Sequence, residues 1–534
     1  MPLPPAKLAH LSRNRQFLIR ASLILSVVSV VIALVVSLLS PAQQSPPQNV
    51  EVIEKIIEQI KEDLAKEKER AEPETFEEWV TLIRIGIPTK ALDRIPDARA
   101  IVDESEDYDG EPKELRGIEG KEAEMVHALD LGLRLGDPDA GGRILSALPV
   151  EMQYRNEFLG DIDFVQEKYL DAAEHYLEET RNHSGSRYSS RSFLISIWRS
   201  GDRDALKEAL TTSQVREHFS LSEQLDLYTD ARDFKGLAFA VLRYEVALFF
   251  TPPVFPALFT GTIWFLILMP FWELNRARLT LSLLAVLAGI VSAGLTLYAV
   301  MIQERMQGFI HDPTATPLNQ VIFYVAGVGL REETLKILCF LPFAIWAGRR
   351  GKYLDGLILA ALVGLGFAFK ENILYFSSGL SSFTAWTRFL TANVLHFALT
   401  GILGYYLVRL IHRKFHGLES FLIAFIGAVC AHGLYNSVIA VPQFDSYSPL
   451  STIFVAIMAY QFFDPLKMNM DTRSISRRVS PLGVFVLGSA LIACGLMVAS
   501  AWITPFRFAL GVFAASVASL VPLAFAYISR FRDL

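Results

Sequence analysis

The stretch LDGLILAALVGLGFAFKENILYF, residues 354–376, is almost entirely apolar and is long enough to cross a bilayer as an α-helix. Similar runs recur along the 534 residues, of which 52% are hydrophobic, and the mean hydropathy is +0.33. A soluble protein of this length would instead show apolar residues at helix or strand spacing. The sequence therefore predicts an all-α, polytopic membrane protein.

The apolar runs predict about ten membrane spans. The first is about 20 residues long, which exceeds the 7 to 15 of a cleavable signal core and indicates a retained signal anchor. The predicted spans are 21–40, 253–272, 279–302, 318–346, 354–376, 386–410, 418–440, 450–463, 482–503 and 506–528.

The residues between the first two spans differ in charge from the rest of the chain. Residues 41–250 carry a net charge of about −18, so the remainder carries about +12 of the formal −6. Four parts are predicted: a cytoplasmic arm with the anchor helix (1–40), an acidic extracytoplasmic helical domain (41–250), a membrane domain with the catalytic helices (251–480) and a C-terminal pair of transmembrane helices (481–534).

The acidic domain is predicted to consist of short helices after a Pro/Gln-rich linker at 41–48 and a helical, charge-alternating segment at 51–70. Residues 96–120 are acidic and punctuated by Gly and Pro, which is typical of a loop or a partly disordered connector. Residues 160–179 resemble one tetratricopeptide-type helical hairpin. Because no second copy follows at a 34-residue period, a repeat array and an irregular helical domain both stay open.

Basic residues predict the orientation, since short cytoplasmic loops hold the excess of Lys and Arg. With the N-terminus inside, eighteen basic residues fall in inner loops, whereas the outer loops and their margins hold Arg305, Arg388 and Arg507. Both termini are therefore predicted to be cytoplasmic. Cys339, Cys430 and Cys494 lie in apolar runs, which excludes a disulfide framework or a thiolate zinc cluster, and no nucleic-acid partner is expected.

Four consecutive predicted spans carry polar side chains at similar depth. An ionisable group at mid-membrane costs about 3 kcal/mol or more, so each needs a partner or a function. The groups are Arg331, Glu332, Glu333 and Lys336 on the fourth span, Lys370, Glu371 and Asn372 on the fifth, Asn393 and His396 on the sixth, and His432 and Asn436 on the seventh.

The spacing of these residues indicates a single site. Glu332 and Lys336 are one turn apart and able to pair, whereas Glu333 points about 100° away. His432 and Asn436 are also one turn apart. Small residues in these spans would permit close helix approach: Gly364, Gly366, Gly401, Gly404, Gly427 and Gly433.

The ordered set Glu332-Glu333-x-x-Lys336, Phe367-x-x-x-Glu371, His396 followed by Gly401, and His432-x-x-x-Asn436 resembles the PrsW family of intramembrane proteases. That family is similar to type II CAAX prenyl endopeptidases and bacteriocin-immunity-type membrane proteases. The resemblance covers residues 318–440. Glu371 stands where the CAAX branch usually has His, which favours the PrsW branch.

The resemblance implies a role for each residue. Glu332 or Glu333 would activate water, and the other glutamate would orient it. His432 and Asn436 would donate hydrogen bonds to the oxyanion, each such donor being worth about 3 to 4 kcal/mol. His396 would assist the base, Glu371 completes the catalytic set, and Lys336 is a supporting residue.

Structural roles are the alternative at each position. The glutamates could pair with Arg331 and Lys336, His432 could form an interhelical hydrogen bond, and His396 or Glu371 could satisfy Lys370. Arg331 and Lys370 are given no catalytic role, and His10, His412 and His416 are expected to be solvated.

A zinc site is a second alternative. It would draw on Glu332, Glu333, Glu371, His396 and His432. No His-Glu-x-x-His motif is present, so a metal-free glutamate mechanism without cofactor is preferred here.

The leading functional hypothesis is an intramembrane endopeptidase that cleaves a membrane-anchored protein and serves regulated proteolysis in signalling. The acidic domain would bind substrate or a protein partner. A proton- or ion-coupled transporter and an inactive membrane scaffold are the alternatives. The resemblance implies a bacterial inner membrane.

Overall fold

The computed structural model describes residues 5–39, 75–85, 119–133, 135–183, 186–211, 216–272, 275–378, 383–447, 449–470 and 479–532. These residues are helical, with no strand among them, which confirms the all-α prediction. The linker at 41–48, the charged segment at 51–70 and nearly all of the connector at 96–120 lie outside the described residues. The chain divides into two compact units, Gln48–Ala240 and Met1–Pro47 with Val241–Leu534.

The first unit consists of short helices, several of which begin or end where Gly, Asp or Pro interrupts the sequence. Asp137 and Asp202 cap helices with their side chains, and Gly201 ends a helix at φ 74°. The helices are α3 (Phe76–Ile85), α4 (Gly120–Leu133), α5 (Pro138–Ala147), α6 (Arg155–Val165), α7 (Tyr169–Asn182), α8 (Arg187–Ser200), α9 (Arg203–Ala209) and α10 (Leu221–Asp230); α11 (Phe234–Leu248) leads into the second unit.

One buried ion cluster joins α3 to α6 within this unit. Arg84 donates to Glu157 at 2.8 Å and to Asp161 at 2.7 Å, and Tyr176 donates to Asp161 at 2.5 Å. Burial opposes the charge of Arg84, but the two carboxylates outweigh it and raise the pKa of the guanidinium well above its usual value. The predicted helical hairpin is present as α6 and α7, with Ala172, Ala173 and Tyr176 buried.

The second unit contains the long apolar helices. They are α1 (Pro5–Leu11), α2 (Arg15–Leu39), α12 (Val254–Leu268), α13 (Arg276–Gln307), α14 (Pro317–Ile322), a π-helical segment (Phe323–Gly329), α15 (Leu330–Arg349), α16 (Tyr353–Ser378), α17 (Phe383–His412), α18 (Leu418–Ala440), α19 (Leu450–Asn469), α20 (Pro481–Ile503) and α21 (Phe506–Phe531).

Eight of the ten predicted spans coincide with helices that are long and apolar enough to cross a membrane. These are Arg15–Leu39, Val254–Phe271, Arg276–Gln307, Tyr353–Phe376, Trp386–His412, Leu418–Ala440, Pro481–Ile503 and Phe506–Phe531. The other two predictions, 318–346 and 450–463, fall on helical segments that are not in this set; the first of them carries Arg331, Glu332, Glu333 and Lys336.

Helix α16 lies at the centre of this unit and is almost entirely buried. It packs against α13, α15 and α17. A Cβ added to Gly364 would collide with the backbone of His396, so this glycine brings α16 close to α17. Gly433 likewise allows α18 to approach Val325 in the π-helical segment. A Cβ added to Gly427 would meet nothing within 4 Å, so the expectation that this glycine serves close packing is wrong.

Helix α2 packs against α20 and α21, which come from the other end of the chain. Ala33 lies in one apolar cluster with Met497, Ala501 and Ala509. Just before α2, the Ser12 hydroxyl accepts the backbone N–H of Ser480 at 2.8 Å. The anchor helix and the C-terminal pair therefore form one group of helices.

Candidate active site

Seven buried side chains from α15, α16, α17 and α18 form one continuous chain of contacts. Arg388 lies 3.1 Å from Glu371 Oε1, and Glu371 Oε2 lies 2.7 Å from His396 Nε2. His396 Nδ1 is 2.8 Å from Lys336 Nζ, which donates to Glu333 Oε1 at 2.8 Å. Glu333 Oε1 is also 2.8 Å from His432 Nδ1, and His432 Nε2 lies 3.5 Å from Glu332 Oε2.

The contacts fix which nitrogen of His396 carries the proton. Lysine is a donor only, so Lys336 donates to Nδ1 and the proton of the neutral ring is on Nε2, where Glu371 accepts it. Both nitrogens of His396 are therefore occupied. On His432, the Nδ1–H donates to Glu333, which leaves the Nε2 lone pair facing Glu332 in the neutral ring.

Glu332 Oε2 and His432 Nε2 are buried and have no hydrogen-bond partner. The exposed fractions of the two residues are 6% and 1%. A carboxylate oxygen and a nitrogen lone pair at 3.5 Å repel one another unless a proton or a cation lies between them. The space between Glu332 Oε2 and His432 Nε2, called the gap below, is therefore the point of the cluster where a proton or a cation would be held most favourably.

The helix geometry that presents the two glutamates is irregular. The π-helical segment Phe323–Gly329 directly precedes α15, and it packs against α18, the helix that carries His432. Isolated π-helical turns within α-helices are frequent at functional sites. Here the widened turn ends three residues before Glu332 and so sets the rotation of both glutamates relative to His432.

Residues 277–462 match the model of the PrsW-protease family, described as PrsW family intramembrane metalloprotease. This segment is a PrsW-family domain. The chain is similar to protease PrsW of Oceanobacillus iheyensis, with 28% identity over 132 residues that are 24% of this chain and 60% of that relative. It is also similar to protease PrsW of Clostridioides difficile, with 26% identity over 160 residues, 28% of this chain and 65% of the relative.

The chain thus spans less than two thirds of the length of either PrsW relative. No solved structure matches. The PrsW domain leaves out the acidic unit, α2, α20 and α21, so the matches concern the helices of the site and say nothing of those parts.

Three residues of the PrsW domain lie close enough to hold one metal ion. One ligand atom each of Glu332, His396 and His432 lies within 4.8 Å of the others. One histidine–carboxylate contact already resembles the outer shell of a metal ligand, because His432 donates its Nδ1–H to Glu333. Glu333 and Glu371, the other two candidate ligands from the sequence, instead hold the two histidines.

The pairing of Lys336 differs from the expectation. The spacing in the sequence predicts that Lys336 pairs with Glu332 and that Glu333 points away from it. Lys336 instead hydrogen-bonds Glu333 at 2.8 Å and lies 3.7 Å from Glu332. Spacing i,i+3 also brings side chains together, and the acceptor at His396 draws the ammonium to that side.

Two other polar residues of these spans lie outside this chain of contacts. Asn436 is buried one turn beyond His432 and makes no hydrogen bond to the other candidate residues of the described chain. Lys370 pairs with Glu245 of α11 at 2.7 Å, so the suggestion that Glu371 or His396 satisfies Lys370 is wrong.

Arg388 is the site residue that sequence reasoning missed. Its position at a predicted loop margin assigned it to the outer loops, although it lies 7% exposed on α17 two turns before His396. That eight-residue spacing places both side chains on one helix face and was a usable signal.

Proposed function

We propose that this chain is an intramembrane endopeptidase that hydrolyses a peptide bond of a membrane-anchored protein. The observation that carries the proposal is the pair of unpartnered acceptor atoms, Glu332 Oε2 and His432 Nε2, which lie 3.5 Å apart in a buried network of charged side chains. Unpartnered buried polar atoms cost about 1 to 3 kcal/mol each, so a proton, a water molecule or a cation bound between these two facing acceptors would remove that cost.

The donor set fits a divalent transition-metal ion held by Glu332, His396 and His432. Two histidines and one glutamate are a common ligand set of catalytic zinc. Glu332 and His432 offer free acceptor atoms, whereas His396 joins by releasing one of its two present contacts. When bound, such an ion activates water and polarises the scissile carbonyl.

The protein's own residues would orient and insulate this point. Glu333 keeps the Nε2 of His432 aimed at the gap by accepting Nδ1–H, and Lys336 balances the charge of Glu333. Glu371 holds His396 on the opposite side. Asn436 is the amide within one turn of His432 that could donate to the developing oxyanion, a contact worth about 3 to 4 kcal/mol.

A metal-free mechanism is the second candidate, and the same gap supports it. A water molecule there would meet Glu332 Oε2, which has no hydrogen-bond donor and can accept its proton. That proton would then pass from Glu332 to the leaving amine, while Asn436 would donate to the oxyanion. The two candidates differ in whether a metal ion is required.

The charge distribution supports a cytoplasmic location of both termini. The family resemblance supports a location in a bacterial inner membrane. In that orientation the acidic unit is extracytoplasmic, and we propose that it binds the substrate or a protein partner. The substrate would be cleaved near the extracytoplasmic face of the membrane.

The test is cleavage of a transmembrane-peptide library by purified protein in detergent, with metal content measured on the same samples. Glu332→Gln and His432→Gln are compared with Glu419→Gln, an exposed glutamate on the same helix as His432. We expect about one equivalent of metal in wild type and in the control, and loss of both metal and cleavage in the two site variants.

Three outcomes separate the candidates. Cleavage that chelation abolishes and zinc restores supports the metal site. Full cleavage by metal-free protein, abolished by Glu332→Gln, supports the glutamate mechanism. Folded wild type that cleaves no member of the library contradicts the endopeptidase.

A further inference from the structure

Arg388 is a buried guanidinium at one end of the site network. Its exposed fraction is 7%. One terminal nitrogen lies 3.1 Å from Glu371 Oε1, and the guanidinium carbon lies 3.9 Å from the centre of the Tyr375 ring. The position is therefore fixed from two sides, by charge and by stacking.

The donors of Arg388 are not used by these contacts. Its Nε and Nη2 are buried and have no hydrogen-bond partner, because the approach of Nη2 to Glu371 lacks hydrogen-bond geometry. Unsatisfied buried donors are rare, and those of a charged group are costlier than neutral ones. Two donors without a hydrogen bond on one guanidinium match the two oxygens of a carboxylate or a single carbonyl.

The charge of the site distinguishes these two acceptors. Three carboxylates, Glu332, Glu333 and Glu371, face three cations, Arg331, Lys336 and Arg388, of which Arg331 also faces Glu304. Lys370 is neutralised separately by Glu245. A divalent metal ion at Glu332 and the histidines would add two positive charges to this buried cluster, which favours an anionic substrate group.

The same end of the network is reachable from outside. Tyr375, which stacks on Arg388, is 45% exposed, and the adjacent Leu374 is 36% exposed. A group that passes Tyr375 would thus meet Arg388, which contacts Glu371, the partner of His396.

We propose that Arg388 binds a carboxylate of the substrate and so makes the protein select peptides with an acidic group beside the scissile bond. This inference rests on the proposed endopeptidase function. The carboxylate comes from an Asp or Glu side chain or from a peptide C-terminus, and both present the same two oxygens.

The experiment uses transmembrane peptides in which one Glu is moved position by position along the outer flank, each paired with its Gln counterpart. A second arm compares free-acid and amidated C-termini. The ratio of kcat/KM within each pair is measured for wild type, Arg388→Gln, Arg388→Lys and Arg507→Gln, an exposed arginine at the start of α21. Peptide affinity is measured in the Glu332→Gln background, so that an inactive Arg388 variant still gives a readout.

We expect a ratio of about ten or more at one position, or for the free acid over the amide. Arg388→Gln should bring that ratio to about one in both cleavage and binding, Arg507→Gln should preserve it, and Arg388→Lys should retain part of it. A role restricted to holding Glu371 would lower every peptide equally and leave the ratio unchanged.

A ratio near one at every position and for both termini, with peptides cleaved, overturns the inference and leaves the endopeptidase intact. A preference that persists in Arg388→Gln overturns it as well. If wild type neither cleaves nor binds any peptide, the endopeptidase proposal fails and this inference with it.

Discussion

At the scale of single residues, Lys336 is the cation that links the polar groups of the site. It has no exposed surface, and its ammonium contacts Glu333 and His396 at 2.8 Å and lies 3.9 Å from the centre of the Phe367 ring. A charged lysine can be buried in such surroundings only because the carboxylates offset the free-energy cost of its desolvation. Removing it leaves buried negative charge without a counterion.

Lys336→Met should therefore destabilise the protein by about 3 to 5 kcal/mol, measured by unfolding in detergent. Lys352→Met, with 46% of the lysine side chain exposed beside Asp355, should cost no more than about 1 kcal/mol. Adding Glu333→Gln to Lys336→Met should recover part of the loss, because one uncompensated carboxylate is removed. Equal costs for the two lysine variants would contradict this account.

The sequence predicted the candidate site residues but not their partners. Glu332, Glu371, His396 and His432 stand out because each is polar within an apolar run. Which of them come into contact depends on how each helix is rotated and how closely the helices approach, and the pattern of a single sequence encodes neither. Lys370, for example, pairs with Glu245 on a helix outside the predicted spans. Arg388 was missed because span boundaries were uncertain by several residues.

At the scale of elements, α10 shows how one carboxylate holds a helix start. Ser220 and Glu223 form a capping box, in which the Ser220 hydroxyl accepts the backbone N–H of Glu223 and the Glu223 carboxylate accepts the backbone N–H of Ser220. Arg191 of α8 also donates to Glu223. Burial opposes ionisation of Glu223, but the hydrogen bonds from Arg191 and Ser220 outweigh it and lower the pKa of this carboxyl below its usual 4.5.

A lowered pKa in the folded state means that the stabilisation from Glu223 is present above pH 4.5 and is lost as the pH falls through the lowered pKa. We expect amide exchange in the first turn of α10 to accelerate on acidification, after correction for intrinsic rates. Glu223→Gln should show the faster exchange already at neutral pH. Glu208→Gln, an exposed glutamate on α9, should behave as wild type, and identical profiles for both variants would contradict the role of the cap.

The elements themselves were largely predictable. Eight predicted spans coincide with membrane-length helices, because twenty apolar residues have few alternatives to a transmembrane helix. The π-helical segment before Glu332 was not predicted, since its sequence, FYVAGVG, has no pattern that separates it from an α-helix. It depends on packing against α18.

At the scale of the whole molecule, the orientation can be tested by labelling. In a background without Cys339, Cys430 and Cys494, a cysteine is placed at exposed Glu151 of the acidic unit or at exposed Lys414 between α17 and α18. In intact cells a membrane-impermeant maleimide should modify Glu151→Cys only, and Lys414→Cys should react after permeabilisation. The opposite pattern would reverse the proposed orientation.

Charge and hydropathy predicted an acidic, polar region and an apolar region along the chain, because water and lipid favour different amino-acid compositions. They did not predict that α2 joins α20 and α21, since nothing local in an apolar helix specifies a partner hundreds of residues away. Whether the acidic unit is a repeat array stays a prediction without a test.

The packing of α2 on α20 and α21 has a consequence for biosynthesis. Helix α2 ends at Leu39, whereas its partners begin at Pro481 and Phe506. At about 5 to 20 residues per second, translation of the intervening chain takes on the order of 20 to 90 s. During that interval the face of α2 that carries Ser29, Ala33 and Ser37 lies against lipid or against a membrane chaperone, and the native helix group closes only after α20 and α21 have been synthesised.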